Sequence, residues 1–273
     1  GSPRGGPAGR TEPTPPQTRI AEMCGRFAFF QEIEPLIDDL DAVDLADPHL
    51  RSRWNIPPTV PIYVVTESVD TETGETLRAL RVARWGLLPP LFAKDESFSS
   101  RTFNARRETL AEKPSFRGSL GRYRAIVPPM DGYYEWVREG RSRKQPYYIA
   151  PADGTPPLYM AALVSWWKGP GGHEGPAASD DGRFLLSVTI ITREATGELA
   201  EIHDRTPVML RRDSVDAWLD TGMDDRHAAQ QWILEDEHLL DDSLLELREV
   251  STAVGRVGND GPELIEPPRP TLL

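Results

Sequence analysis

The chain has 273 residues, a net charge of −12, seven tryptophans and one cysteine. A single cysteine excludes an intramolecular disulfide, and no apolar run reaches the roughly 20 residues that a membrane-spanning helix needs. With no charged-then-apolar signal segment at the start, the expectation is a cytoplasmic protein, long enough to bury a real core.

In chain order, residues 1–22 are rich in Pro, Gly and Thr and read as a disordered leader, or as an upstream extension before a true start at Met23. A short strand is expected at Phe27. Ile33, Leu36, Ile37 and Leu40 then recur at helical spacing, with Pro35 tolerable in a first turn. Trp54-Asn55-Ile56-Pro57-Pro58 reads as an extended turn that cannot join a central ladder. The runs 62–66 and 77–85 flank a polar turn and predict a hairpin. Residues 105–112 predict a short helix, with Asn104 as its N-cap. Strands are expected at 124–127, 133–137, 147–150, 158–165 and 184–191, with a solvated loop at 169–182. A helix at 194–202 runs into His203-Asp204-Arg205. A strand at 207–210, helices at 215–219 and 227–234 and a last β run at 247–250 complete the chain. Many short strands with a few flanking helices predict a single α+β domain on a bent or open-barrel, mainly antiparallel sheet. The domain is expected over 23–267, followed by a short tail at 268–273.

The chemistry concentrates at Met23-Cys24-Gly25-Arg26-Phe27. A chain started at Met23 would lose that methionine, since the next residue is small, and Cys24 would carry a free α-amine beside its thiol. Such an amine is roughly 10–20% unprotonated at pH 7, and an unassisted thiol roughly 3% thiolate. The pair captures an aldehyde twice, first as an imine and then as a five-membered thiazolidine. The other reading of a lone cysteine is a small buried hydrophobe.

Three further stretches stand with it: Phe103-Asn104-Ala105-Arg106-Arg107-Glu108-Thr109, Asp131-Gly132-Tyr133-Tyr134-Glu135-Trp136 and Ile202-His203-Asp204-Arg205-Thr206-Pro207. With Arg84-Trp85-Gly86-Leu87 and Ala253-Val254-Gly255, they resemble in order and spacing the SRAP family, the SOS-response-associated peptidases, also called abasic-site processing proteins. The resemblance runs from Met23 to about Pro267. It implies covalent capture of abasic sites in single-stranded DNA by an N-terminal cysteine, in a DNA damage response. It also implies a central open barrel with a basic DNA groove.

On that resemblance the catalytic residues are Cys24, Asn104, Glu135 and His203. Asn104 offers an amide to orient the sugar or the Cys24 amine. Glu135 lies on a strand between aromatics, where apolar surroundings raise a carboxyl's pKa toward acid–base work; its other reading is an exposed strand position. His203 moves protons or binds a phosphate, or else caps the preceding helix. Arg26, Trp54, Asn55, Pro57, Trp85, Gly86, Arg106 and Arg205 are the residues placed on DNA, with core packing as the other reading of Trp85. Residues 101–144 hold 11 Lys/Arg and 5 Asp/Glu, while 196–273 hold 7 and 18, so a basic groove on an acidic protein is compatible with the charge. No metal or cofactor is implied, and the expected partner is abasic single-stranded DNA, bound by a monomer. Two alternatives stay open: an N-terminal-nucleophile hydrolase or cysteine peptidase using Cys24 with His203, and a non-enzymatic single-strand-binding module.

Overall fold

The computed structural model describes residues 24–139, 142–153 and 157–268. The expected leader, and all of the expected tail except Pro268, lie outside those residues. In chain order the strands are β1 (Phe27–Phe29), β2 (Val43–Asp44), β3 (Arg53–Ile56), β4 (Pro61–Val69), β5 (Thr76–Trp85), β6 (Asn104–Arg106) and β7 (Arg124–Met130). There follow β8 (Gly132–Glu139), β9 (Ser142–Pro151), β10 (Leu158–Trp167), β11 (Leu185–Glu194), β12 (Arg205–Pro207), β13 (Met209–Leu210) and β14 (Leu245–Glu249). The helices are α1 (Glu34–Leu40), α2 (Pro114–Leu120), α3 (Gly197–Ile202), α4 (Arg212–Leu219) and α5 (Arg226–Leu234). Among the described residues, no helix is long and apolar enough to cross a membrane.

The expected hairpin is β4 and β5, antiparallel from Pro61↔Arg84 to Val69↔Thr76. Its turn is drawn tight by Asp70, whose Oδ1 accepts the N–H groups of Glu72 and Thr73, each at 2.8 Å. From this hairpin the sheet runs β5-β4-β7-β10-β11, all antiparallel. Two parallel pairs, Ser187↔Arg84 and Val188↔Trp85, join β11 back to β5 and close the ring. The expected bent, barrel-like sheet is therefore present. Strands β10 and β11 read as near-continuous apolar runs because both their faces are covered.

Helices α2 and α4 are held to this barrel by a buried cation. The Arg124 guanidinium, 4% exposed, donates to the carbonyls of Trp218, Leu120, Gly121, Met223 and Asp220. Those carbonyls include orphan acceptors at the two helix ends, which a cation satisfies well. Part of the basic excess at 101–144 is thus structural.

A second sheet, β14-β9-β8-β1-β3, packs its own small core around Tyr134, Trp136, Tyr148, Val250, Val254 and Leu264. Alternation along β8 decides what faces where. Tyr134 and Trp136 enter this second core, while Tyr133 packs in the main one.

Several local expectations are corrected. Trp54-Asn55-Ile56 is not a turn: it lies in edge strand β3, paired with β1, and Pro57-Pro58 ends the strand where no further donor is needed. Residues 105–112 are not a helix and Asn104 is not an N-cap. Asn104 opens β6, which pairs with β11 through Ile190↔Asn104 and Thr192↔Arg106, and only a 3₁₀ turn, Arg107–Thr109, follows. The cross-strand pairing and the buried Ala105 override the local helical preference. Glu194 ends β11 rather than starting a helix, and α3 begins at Gly197. Helix α2 carried too few apolar residues to be visible.

Gly86 sits where β5 leaves the barrel, with φ of +129°. An added Cβ would lie 2.3 Å from the Ser99 carbonyl oxygen, a backbone atom with nowhere to go. Gly86→Ala is expected to cost about 2–4 kcal/mol from combined backbone strain and overlap. Urea unfolding checks this, and a wild-type midpoint would contradict it.

Candidate active site at Cys24

Cys24 leads into β1 and is fully buried. Its backbone nitrogen donates to Oε1 of Glu135, a residue 111 positions away. Its thiol donates to the Arg205 carbonyl oxygen at 3.6 Å. Burial pushes the thiol well above its ordinary pKa and the neighbouring Glu135 carboxylate pushes it further, outweighing the opposite pull of Arg205. At neutral pH the sulfur is therefore a protonated donor rather than a thiolate.

Glu135 is 2% exposed, which excludes the exposed-strand reading. It shares its side of β8 with Tyr133, two residues earlier. The Tyr133 hydroxyl lies 2.9 Å from Thr206 Oγ1. Burial and the nearby Cys24 raise the Tyr133 phenol well above its ordinary value, so it stays neutral.

His203 follows α3 as its C-cap, its N–H on the Leu199 carbonyl at 3.0 Å. The ring nitrogen Nδ1 accepts the Arg205 N–H at 3.0 Å. The same nitrogen lies 3.0 Å from Asp204 Oδ1. One nitrogen cannot accept and donate at once. A neutral His203 therefore takes the Arg205 N–H and carries its proton on Nε2, while a protonated ring turns Nδ1–H to the Asp204 carboxylate. Arg205 is itself clamped: its guanidinium makes two parallel bonds to Glu108, at 3.0 and 2.9 Å, and a third to the Thr192 carbonyl at 2.7 Å.

Cys24, Glu135, His203 and Arg205 thus form one connected group. Asn104 is half-buried on β6, which flanks the same strand β11 that β12 pairs with, and Arg106 on β6 is exposed. The other residues expected on DNA are placed differently. Arg26 is 7% exposed, and its Nη1 donates to Asn55 Oδ1 and to the Val254 carbonyl, both at 2.9 Å. Asn55 is fully buried, its Nδ2 facing the carbonyls of Val254, Arg256 and Asn259. Together they knot the 254–259 segment onto the β1–β3 edge of the second sheet. Trp85 is core: it is fully buried, 4.7 Å from the Phe27 ring, with its indole N–H on the Phe103 carbonyl. Gly86 is buried too, while Trp54 and Pro57 are half-buried, Trp54 stacked on Phe30. Sequence reasoning did not single out Glu108, Tyr133 or Thr206. Each lies inside a quoted motif, and the position of Tyr133 two residues before Glu135 was the available signal.

The SOS response associated peptidase (SRAP) family profile matches residues 23–257. The chain belongs to the SRAP family. The abasic site processing protein YoqW of Bacillus subtilis is 33% identical over 246 residues, covering 89% of this chain and 99% of that protein. The abasic site processing protein YedK of Escherichia coli is 30% identical over 249 residues, covering 90% and 100%. The abasic site processing protein HMCES of Gallus gallus is 30% identical over 245 residues, covering 82% and 68%. A crystal structure from Bacteroides thetaiotaomicron superposes with a TM-score of 0.69 at 20% identity, covering 90% and 100%, and shares the SRAP fold.

Proposed function

We propose that this SRAP protein captures abasic sites in single-stranded DNA covalently, through a thiazolidine built on Cys24. The observation that carries the reading is the buried contact between the Cys24 nitrogen and the Glu135 carboxylate. The naming of its relatives as abasic site processing proteins agrees with it.

An abasic deoxyribose is mostly a closed hemiacetal, and Glu135 and His203 move the protons that open it to the aldehyde. The neutral Cys24 amine adds to the aldehyde carbon, and the carbinolamine loses water as Glu135 protonates the leaving hydroxyl. The Cys24 sulfur then bonds to the imine carbon while the thiol proton passes to the imine nitrogen. One aldehyde and one aminothiol give one thiazolidine and one water, with no oxidant or reductant. A protonated thiol suits this order, because it delivers the proton that ring closure consumes. In a chain that still carries Met23, the Met23–Cys24 amide nitrogen is the atom that meets Glu135, on the same residue as the thiol. Self-removal of the preceding residues is compatible with that contact, and trimming by another enzyme is the route favoured over it.

A denaturing gel tests the reading, using protein that starts at Cys24 with abasic and intact single strands. A heat-stable shifted band with the abasic strand alone is expected, and its absence would overturn the proposal.

Arg106 is exposed on β6, two residues after Asn104, so it is assigned to phosphate binding. Arg106→Ala is expected to lower the log–log salt slope of single-strand binding by about 0.7. Arg26→Ala is expected instead to lower thermal stability, since its bonds are internal. An unchanged slope for Arg106→Ala would place the DNA path elsewhere.

A further inference from the structure

The segment 203–206 is hydrogen-bonded to Cys24, to β8, to β11 and to the turn after β6. The Arg205 carbonyl accepts the Cys24 thiol, and the Arg205 N–H donates to His203 Nδ1. Thr206 meets Tyr133 on β8, the strand of Glu135. Arg205 itself is held by the β12–β11 pairing at Glu194↔Arg205, by the Thr192 carbonyl, and by Glu108, from the 3₁₀ turn directly after β6, the strand of Asn104 and Arg106.

We infer that Glu108 is a positioning residue for covalent capture. By clamping the Arg205 guanidinium, its carboxylate adds to the β12–β11 pairing and fixes the Arg205 backbone where it keeps neutral His203 in the Nε2–H tautomer and the Cys24 thiol on the Arg205 carbonyl. The inference rests on the covalent-capture reading above and extends it to a residue outside the reacting atoms.

Three features carry it. The ion pair is bidentate, a geometry that fixes direction as well as distance. The Arg205 side chain is only 7% exposed, so removing the Glu108 carboxylate leaves a buried charge with only the neutral Thr192 oxygens as acceptors, and the guanidinium shifts toward them. The Glu108 carboxyl is ionised at neutral pH: burial acts to raise it, but the hydrogen bonds and charge of Arg205 hold it below the usual range. Glu108 is 40% exposed and negative, so toward a DNA phosphate it is an opposing charge. Its loss therefore should not weaken single-strand binding. Positioning and binding consequently move in different directions, which a general loss of structure could not reproduce.

The test uses Glu108→Gln and Glu108→Asp in protein that starts at Cys24. Three quantities are read: the adduct rate at saturating abasic single strand, the affinity for an intact strand, and the His203 ring nitrogens in ¹⁵N spectra. Glu108→Gln is expected to slow capture about 10–100-fold, the scale of a misplaced reacting group. Affinity should be equal or tighter, and His203 should pass from a single Nε2–H tautomer to a mixture. Glu108→Asp, which keeps the charge, should recover most of the rate. Capture at the wild-type rate with unshifted His203 nitrogens would overturn the inference. So would parallel losses of rate, affinity and melting temperature, which would make Glu108 an ordinary structural residue. If wild-type protein forms no adduct, the capture reading itself fails, and the His203 spectra alone decide: an unchanged tautomer in Glu108→Gln overturns the positioning role as well.

Discussion

Cys24→Ala is expected to abolish the heat-stable adduct with abasic single strands, while non-covalent affinity for those strands changes by less than about twofold, because phosphate contacts dominate it. The alanine variant keeps an α-amine and still reaches the imine, but it has no sulfur to close the ring. Imines hydrolyse on heating and permit β-elimination, so strand cleavage is the expected product in place of the adduct. A denaturing gel reads both outcomes, and a wild-type adduct yield from the variant would end the thiazolidine mechanism. The state of the Cys24 nitrogen matters as much as the sulfur. In the chain as written, that nitrogen is the amide of the Met23–Cys24 bond, its lone pair delocalised into the carbonyl. The thiol alone then gives only a reversible hemithioacetal. The 273-residue form is accordingly expected to make no stable adduct until that bond is cut. Intact mass spectrometry checks it: an adduct on a chain still holding residues 1–23 would contradict the amine-first order.

Glu135→Gln is expected to slow adduct formation by about 10²–10⁴, the usual loss for a general acid–base group, with little effect on binding. The amide is nearly isosteric and still accepts from the Cys24 nitrogen, so the contact survives while proton transfer is lost. Single-turnover rates across neutral pH read the effect. A wild-type rate with the glutamine would return Glu135 to a structural role. The substitution also removes the negative charge that helps to hold the thiol protonated, so the Cys24 thiol should ionise at lower pH in the variant. The pH dependence of Cys24 alkylation gives an independent reading of that shift.

Much of this was legible in the chain. The hairpin β4–β5, the strands β7 to β9 and helix α1 follow from apolar patterning at strand and helix spacing, and β10 and β11 from near-continuous apolar runs, because these residues pack against a continuous core. The aminothiol chemistry of Cys24 is equally local, a property of one residue and the bond before it. Glu135, between Tyr134 and Trp136, was read either as a carboxyl in apolar surroundings or as an exposed strand position, and its burial in the fold decides for the first. Long-range partners were not legible, since nothing local distinguishes an arginine that meets phosphate from one that meets carbonyls. Arg26 and Asn55 were read as DNA contacts, and the fold commits them to the 254–259 segment, some two hundred residues away. Trp85 could stack on a base or fill the core, and β5–β11 pairing puts it inside the barrel. Asn104 carried a helix-cap signal that β11 overrode by offering a strand edge. Sequence alone thus determined which groups could do chemistry. Tertiary structure decided which of them meet, because hydrogen bonds such as Cys24 to Glu135 and Arg205 to Glu108 exist only once strands far apart in the chain are brought into register.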